Sequence, residues 1–149
     1  SDLIAGFPNE TEEEHQSTMD LLDLAQYDFI YSYTFSARKG TKAARMSDVL
    51  NDDIRGRRLR EIQEKQNKIQ ENLRQSMIGK TYRILVEEKG MDKGNTLKWT
   101  GRTSCNRLVH FAPPQADGDY KWHWVDLEIT SATSFSTQGN FVKDFGTHL

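Results

Sequence analysis

A few short segments of this sequence carry side chains whose types and spacing could do chemistry. Gly6-Phe7-Pro8-Asn9-Glu10-Thr11 stands between a short apolar run and an acidic, helix-like stretch. A glycine there lets a flat ligand approach the backbone closely, and ligand sites on parallel strands gather at the strands' C-terminal ends. The same residues also make an ordinary strand-to-helix turn, and both readings stand. Ser36-Ala37-Arg38-Lys39-Gly40-Thr41-Lys42 follows the next strand-like run and falls at the same end. Its charges sit on a loop, where helix solvation does not account for them. Arg55, Arg57, Arg58 and Arg60 read either as a phosphate-binding patch or as a solvated helix face paired with Asp52, Asp53, Glu61 and Glu64. Arg102-Thr103-Ser104-Cys105-Asn106-Arg107 is a polar turn between strand-like runs, suited to phosphate or base contacts or to a plain β-turn.

Other chemistry is excluded by what the chain lacks. One cysteine permits no internal disulfide and no metal or cluster site built from several thiolates. Cys105 has no partner thiol and no histidine placed to activate it, so it reads as a bystander. His15, His110, His123 and His148 lack metal-ligand spacing, which argues against zinc. Trp122 and Trp124 fall on the strand face of Asp126 and Glu128, opposite Val125, Leu127 and Ile129. There they either stack on bases or pack under another element.

These segments need elements to position them. Leu3-Ile4-Ala5, stopped by Gly6 and Pro8, predicts a short buried strand. Thr11-Glu12-Glu13-Glu14 is a capping box with acids suited to a helix start. Met19, Leu21, Leu22, Leu24 and Ala25 supply that helix's apolar face. The aromatic and β-branched run over 29–35 predicts a second strand. Strand, helix and strand with short connections form a βαβ unit with parallel strands. Asn51 caps a long second helix whose stripe is Ile54, Leu59, Ile62, Ile69, Leu73 and Met77, with Gly79 as its stop. The rest is β-rich, with strands over 81–86, 97–102, 107–111 and 122–130 and a weaker one near 140–142. A turn-rich connection covers 89–95. Five short strands in so few residues predict a small closed or partly open barrel of a kind that commonly carries nucleic acid.

The net charge of −2 conceals a partition. Residues 1–36 carry eight acids and no Lys or Arg, residues 37–78 a net +5, and residues 79–149 a net +1. No apolar run approaches the ~18–20 residues of a membrane span, and no signal-peptide pattern opens the chain. A soluble, cytoplasmic protein with no membrane partner is expected. The chain begins Ser1-Asp2-Leu3-Ile4, an apolar run without an initiator methionine, and we read it as the downstream part of a longer protein.

Several motifs coincide in order. Asp2-Leu3-Ile4-Ala5-Gly6-Phe7-Pro8-Asn9-Glu10-Thr11 resembles the D-x-I-x-G-F-P-G-E-T segment of radical-SAM methylthiotransferases. Tyr33 to Ala44 resembles their Y-S-x-R-P-G-T-P-A-A loop. Gly79-Lys80-Thr81 through Val86-Glu87 resembles the opening of their TRAM domain. Gly101 to Phe111 is similar to G-R-T-x-x-N-R-x-V-x-F, and Val125 to Thr130 to V-D-V-x-I-T. The chain departs from these patterns at Asn9, usually Gly, and at Lys39 and Lys42, usually Pro. The Asn106-Arg107 turn and the Arg38 loop look more like the MiaB branch, which modifies an isopentenylated adenosine beside the tRNA anticodon. The RimO branch modifies an aspartate of a ribosomal protein.

The resemblance implies an α+β, multi-part fold: residues 1–46 as the C-terminal piece of a radical-SAM (β/α) barrel, 47–78 as a linking helix, and 79–146 as a small antiparallel TRAM β-barrel. It implies S-adenosylmethionine and two 4Fe-4S clusters in the full-length enzyme, with no cluster ligand in this chain. It implies the anticodon stem-loop of tRNA and the enzyme's missing N-terminal domains as partners. By resemblance Gly6, Phe7 and Pro8 wall the adenosyl pocket with Glu10 nearby, and Tyr33 and Phe35 line the next strand end. Arg38 and Thr41 face the substrate, while Lys80, Arg83, Arg102, Asn106 and Arg107 grip tRNA. The isolated chain is expected to be inactive, since cleavage of S-adenosylmethionine needs a cluster held by three thiolates. The alternative readings are a RimO-like ribosomal-protein aspartate methylthiotransferase, or a chain that in isolation acts only as a non-catalytic RNA-binding module.

Overall fold

The apolar run at the start forms β1 (Asp2–Ala5), and the aromatic run forms β2 (Tyr31–Thr34). They pair in parallel with Ile4 opposite Tyr33 and Ala5 opposite Thr34, the arrangement a βαβ unit requires. The computed structural model describes residues 1–46, 49–92, 94–133 and 136–147. Lys93, in the expected turn, and His148 lie outside the described residues. The chain divides into two compact units, residues 1–72 and 73–149.

In the first unit, helix α1 (Glu12–Ala25) joins the strands. Its capping box forms as expected: Thr11 Oγ1 accepts from the Glu14 amide, and Glu14 Oε2 accepts from the Thr11 amide. The expected apolar face does not form. Leu22 is buried, but Leu21 and Leu24 are exposed, and His15 is the other buried residue of this helix. Helix α2 (Asp52–Gln75) is capped by Asn51, whose Oδ1 accepts from the Ile54 amide at 2.9 Å. It ends before Gly79, in tight turns closed by Met77 N–H to Arg74 O and Ile78 N–H to Gln75 O. Its buried positions are Arg58, Ile62, Gln66, Ile69 and Gln70, a stripe more polar than Ile54, Leu59, Ile62 and Ile69 alone would give.

The second unit holds β3 (Thr81–Met91), β4 (Leu97–Thr103), β5 (Leu108–Phe111), β6 (Trp124–Ala132) and β7 (Thr137–Asp144). They close into a barrel in the order β3-β4-β5-β7-β6, which removes the free edges an open sheet would expose. Ile84, Val86, Trp99, Val109, Phe111, Val125, Leu127 and Ile129 fill it, with Met77 and Tyr120 packed among them. The alternation read at Val125, Leu127 and Ile129 is thus an inward face.

The architecture is α+β, with corrections. The barrel is mixed rather than antiparallel, because β5 meets β7 in parallel through His110 and Gln138. β3 runs on through residues expected to be a turn, with a register shift between Val86 and Glu88 that keeps it paired to β4 as the sheet curves. Trp122 precedes β6 in a left-handed conformation (φ 64°), so strand alternation does not set its direction. The parallel sheet among the described residues has two strands, so by itself it does not make a (β/α) barrel.

Candidate cofactor pocket and nucleic-acid interface

The loops after β1 and β2 meet as expected at one end of the parallel pair. A cavity of about 280 Å³ lies there, and its lining includes Ile4, Phe7, Tyr33, Phe35, Arg38 and Thr41. Phe7 meets Phe35 edge to face at 5.3 Å between ring centres. Behind them the turn is locked: the Gly6 amide donates to Glu10 Oε2 at 2.7 Å and the Glu10 amide to Phe7 O at 3.0 Å. Asn9 has a φ of 67°, a conformation glycine takes freely and asparagine tolerates. That accounts for Asn where the family pattern has Gly.

Gly6 (φ 71°) has a second reason to lack a side chain. A Cβ there would come within 2.4 Å of Arg55 Cγ, so the stem of Arg55 occupies the space expected to admit a flat ligand. Arg55 Nη1 also donates to Phe35 O at 2.7 Å, tying α2 to the end of β2. Pro8 is buried. Thr41 Oγ1 donates to Arg38 O at 2.8 Å and accepts from the Ala44 amide at 3.2 Å, so Thr41 shapes its own loop.

The arginine run keeps two of the within-helix pairs its spacing offered, Arg55 with Asp52 and Arg57 with Glu61, but it also reaches beyond its own helix. Its main partners lie at the start of α1. Arg58, 3% exposed, donates from Nη1 to Glu10 O at 2.9 Å and Glu10 Oε2 at 2.7 Å, and from Nη2 to Glu12 Oε2 at 2.9 Å. Arg57 spans Glu12 and Glu61, and His15 Nε2 bonds Glu61 Oε2 at 2.7 Å. Arg60 is exposed. Glu10, expected beside the adenosyl pocket, is held by Gly6 and Arg58 at its back.

This clasp has a pH signature. Hydrogen bonds from Arg57, then Arg58, hold the Glu12 carboxyl down at about 2 against an ordinary 4.5. Burial pushes Glu61 up, but Arg57 and His15 outweigh it and its pKa is lowered. A carboxyl depressed in the folded state stabilises it fully above the ordinary value, and that contribution is lost as pH falls through the folded value. Amide protection in the first turns of α1 and α2 is therefore expected to decline between about pH 4.5 and 2. Glu12→Gln should remove part of that decline in a hydrogen-exchange titration.

On the barrel, Arg83 grips Asp126 through Nε at 3.0 Å and Nη2 at 3.3 Å and lies 4.0 Å over the Phe145 ring. Arg102 donates to Glu87 Oε2 at 3.1 Å and to Asn106 O and Oδ1, each at 3.2 Å. Two expected RNA contacts, Arg102 and Asn106, are thus joined, and they brace the turn that carries Arg107. Asn106 itself has a φ of 65°. Lys80 is exposed at the entry to β3. Cys105 is exposed, its Sγ 3.1 Å from Thr103 Oγ1. Trp124 is half-buried and Trp122 exposed, with Lys121 Nζ 5.4 Å from the Trp122 ring. Among the described residues no group of three or more His, Cys, Asp or Glu could hold a metal ion. No helix among them is long and apolar enough to cross a membrane.

An aromatic-walled pocket at parallel strand ends and a closed barrel bearing braced arginines define a two-part α+β protein. No family model matches the chain. Curated relatives do. A protein of Acetivibrio thermocellus named tRNA-2-methylthio-N(6)-dimethylallyladenosine synthase is 34% identical over 96% of this chain and 29% of its own length. Proteins of the same name from Solibacter usitatus and Psychromonas ingrahamii are 40% and 37% identical over 80% and 96% of the chain. The chain belongs to the family of these synthases, and it spans about 29% of the length of the relatives it matches.

Proposed function

We propose that this chain is the C-terminal portion of a tRNA methylthiotransferase. The enzyme adds a methylthio group to C2 of N6-isopentenyladenosine next to the anticodon by radical S-adenosylmethionine chemistry, in the cytoplasm. The observation that carries this reading is homology over nearly the whole chain to proteins named for that product. Residues 1–46 belong to the S-adenosylmethionine barrel, 47–78 link it onward, and 79–146 are the TRAM domain that binds the tRNA anticodon stem-loop. Partners of the chain are that tRNA and the enzyme's N-terminal domains.

The strand-end pocket fits one side of a flat, partly apolar ligand: Phe7, Tyr33 and Phe35 offer ring faces and edges, and Arg38 offers charge at the rim. Gly6, Pro8 and Glu10 hold that wall from behind, and Arg38 and Thr41 present the loop to substrate. S-adenosylmethionine, when bound, supplies the methyl group and the sulfonium whose reductive cleavage starts the reaction. A 4Fe-4S cluster needs several thiolates, and this chain has one cysteine, so it holds neither cluster. Lys80, Arg83, Arg102, Asn106 and Arg107 contribute affinity for the RNA backbone.

The test is nucleoside analysis of tRNA from a strain lacking the gene. The 2-methylthio nucleoside should vanish, return with the wild-type gene, and return only in part with the Arg102→Ala/Arg107→Ala gene. Unchanged tRNA would overturn the reading, and loss of a methylthio-aspartate from a ribosomal protein instead would place the chain in the RimO branch.

A further inference from the structure

The closed barrel carries a groove that none of the roles above uses. A cavity of about 610 Å³ opens on the outer face of β4, β5 and β7, and its lining includes Gly90, Met91, Lys98, Thr100, His110 and Gln138. That volume is in the range of small-ligand sites. Pairing register builds it: Thr100 lies opposite His110, and His110 opposite Gln138. Lys98 stands two residues before Thr100, on the same outward face of β4 as Thr100 and Arg102.

Thr100 Oγ1 bonds His110 Nδ1 at 2.8 Å and fixes the ring. No partner for Nε2, or for the Gln138 side-chain amide, occurs among the described residues. Because a hydroxyl both donates and accepts, Thr100 can support either tautomer, so Nε2 can accept or donate as a ligand requires. Burial, then Lys98, pushes the imidazole pKa down and favours the neutral ring. At the rim, the Asp92 carboxylate is engaged by the Gly94 and Thr96 amides at 2.9 Å each.

We propose that this groove is a subsite for one nucleotide of single-stranded RNA, with the base edge on His110 and Gln138 and its phosphate on Lys98. Lys98 is the one cation of the lining given above, and the Asp92 carboxylate that shares the cavity is already engaged by two amides. A single partly offset cation beside two neutral polar groups suits a phosphate joined to a base better than a phosphate alone. The face is also continuous with Arg102 on β4 and with the turn that enters β5. The inference rests on the reading that the barrel binds RNA and says where one base is held.

The experiment titrates the full chain with a short, labelled single-stranded RNA, with inorganic phosphate, and with an acidic peptide. His110→Ala and Gln138→Ala should each weaken RNA binding about three- to tenfold without changing its salt dependence. Lys98→Ala should weaken binding and reduce the salt slope by roughly 0.7. The His110 Nε2 resonance should shift with RNA and not with phosphate. If Arg102→Ala weakens binding while His110→Ala and Gln138→Ala do not, and the resonance stays still, the groove is not the subsite and the RNA reading stands. If the wild-type chain binds no RNA at low salt, both fall. A shift with the peptide and not with RNA also overturns the proposal.

Discussion

Arg58→Ala is expected to destabilise residues 1–72 by about 3–5 kcal/mol, the usual cost of removing one partner from a buried, hydrogen-bonded ion pair. The Arg58 side chain is 4% exposed and that of Glu10 12%. Without the guanidinium, the Glu10 carboxylate keeps, among the described residues, the Gly6 amide as its partner, and the Glu10 carbonyl loses the Arg58 donor. Burial by itself would lower the Arg58 pKa, yet Glu10 and Glu12 raise it, so the charged form is the one the fold selects. The readout is amide exchange across β1 and α1. Every tryptophan lies at position 99 or later, so indole fluorescence reports on the barrel instead and should hold steady. The double variant Glu10→Gln/Arg58→Met should recover part of the loss, because no buried charge is then stranded. A loss below about 1 kcal/mol in Arg58→Ala, the level of an exposed pair, would show that the clasp is only a surface contact.

Arg58 also marks where the sequence stops being legible. The capping box at Thr11 and Glu14, the Asn51 cap and the inward Val125, Leu127 and Ile129 are local rules obeyed locally, and the structure keeps them. The buried stripe of α2 is only half visible in the sequence. Arg58, Ile62, Gln66, Ile69 and Gln70 recur at helical spacing, but a search for apolar periodicity passes over three of them. The buried face of α1 fails for the same reason: His15 turns inward because Glu61 meets it, while Leu24 is 83% exposed. Such faces are specified by pairs of residues distant in sequence, which one chain read in order does not display.

The site divides similarly. Phe7, Tyr33, Phe35, Arg38 and Thr41 are legible because two loops at one end of parallel strands must be neighbours, and one cavity collects them. His110 and Gln138 are not. The parallel pairing that places them together joins distant parts of the chain, and neither residue has a motif of its own. Sheet ends pose a further difficulty: Lys89 and Gly90 look like turn residues, yet they extend β3 because β4 continues to pair with them.

The second large effect falls in the barrel, at Gly101. A Cβ built there would stand 2.4 Å from Leu85 O and 2.6 Å from Ile84 Cγ2. The oxygen belongs to the backbone of β3 and has no rotamer by which to withdraw. Gly101 pairs with Val86 on one side and Val109 on the other, so any retreat separates a ladder on both sides. Gly101→Ala is therefore expected to cost about 3 kcal/mol, the upper part of the usual range for overpacking, and Gly101→Val more. Trp99, 2% exposed and two residues away on the same strand, should report the change as a lower denaturant midpoint of its fluorescence. Gly90→Ala is the control: it lies on the neighbouring strand, where an added Cβ would meet nothing within 4 Å, and should leave the midpoint nearly unchanged. Equal midpoints for Gly101→Ala and Gly90→Ala would mean that β3 and β4 are not held at this separation. A large gap between them would tie the glycine of the G-R-T segment to barrel closure rather than to contact with RNA.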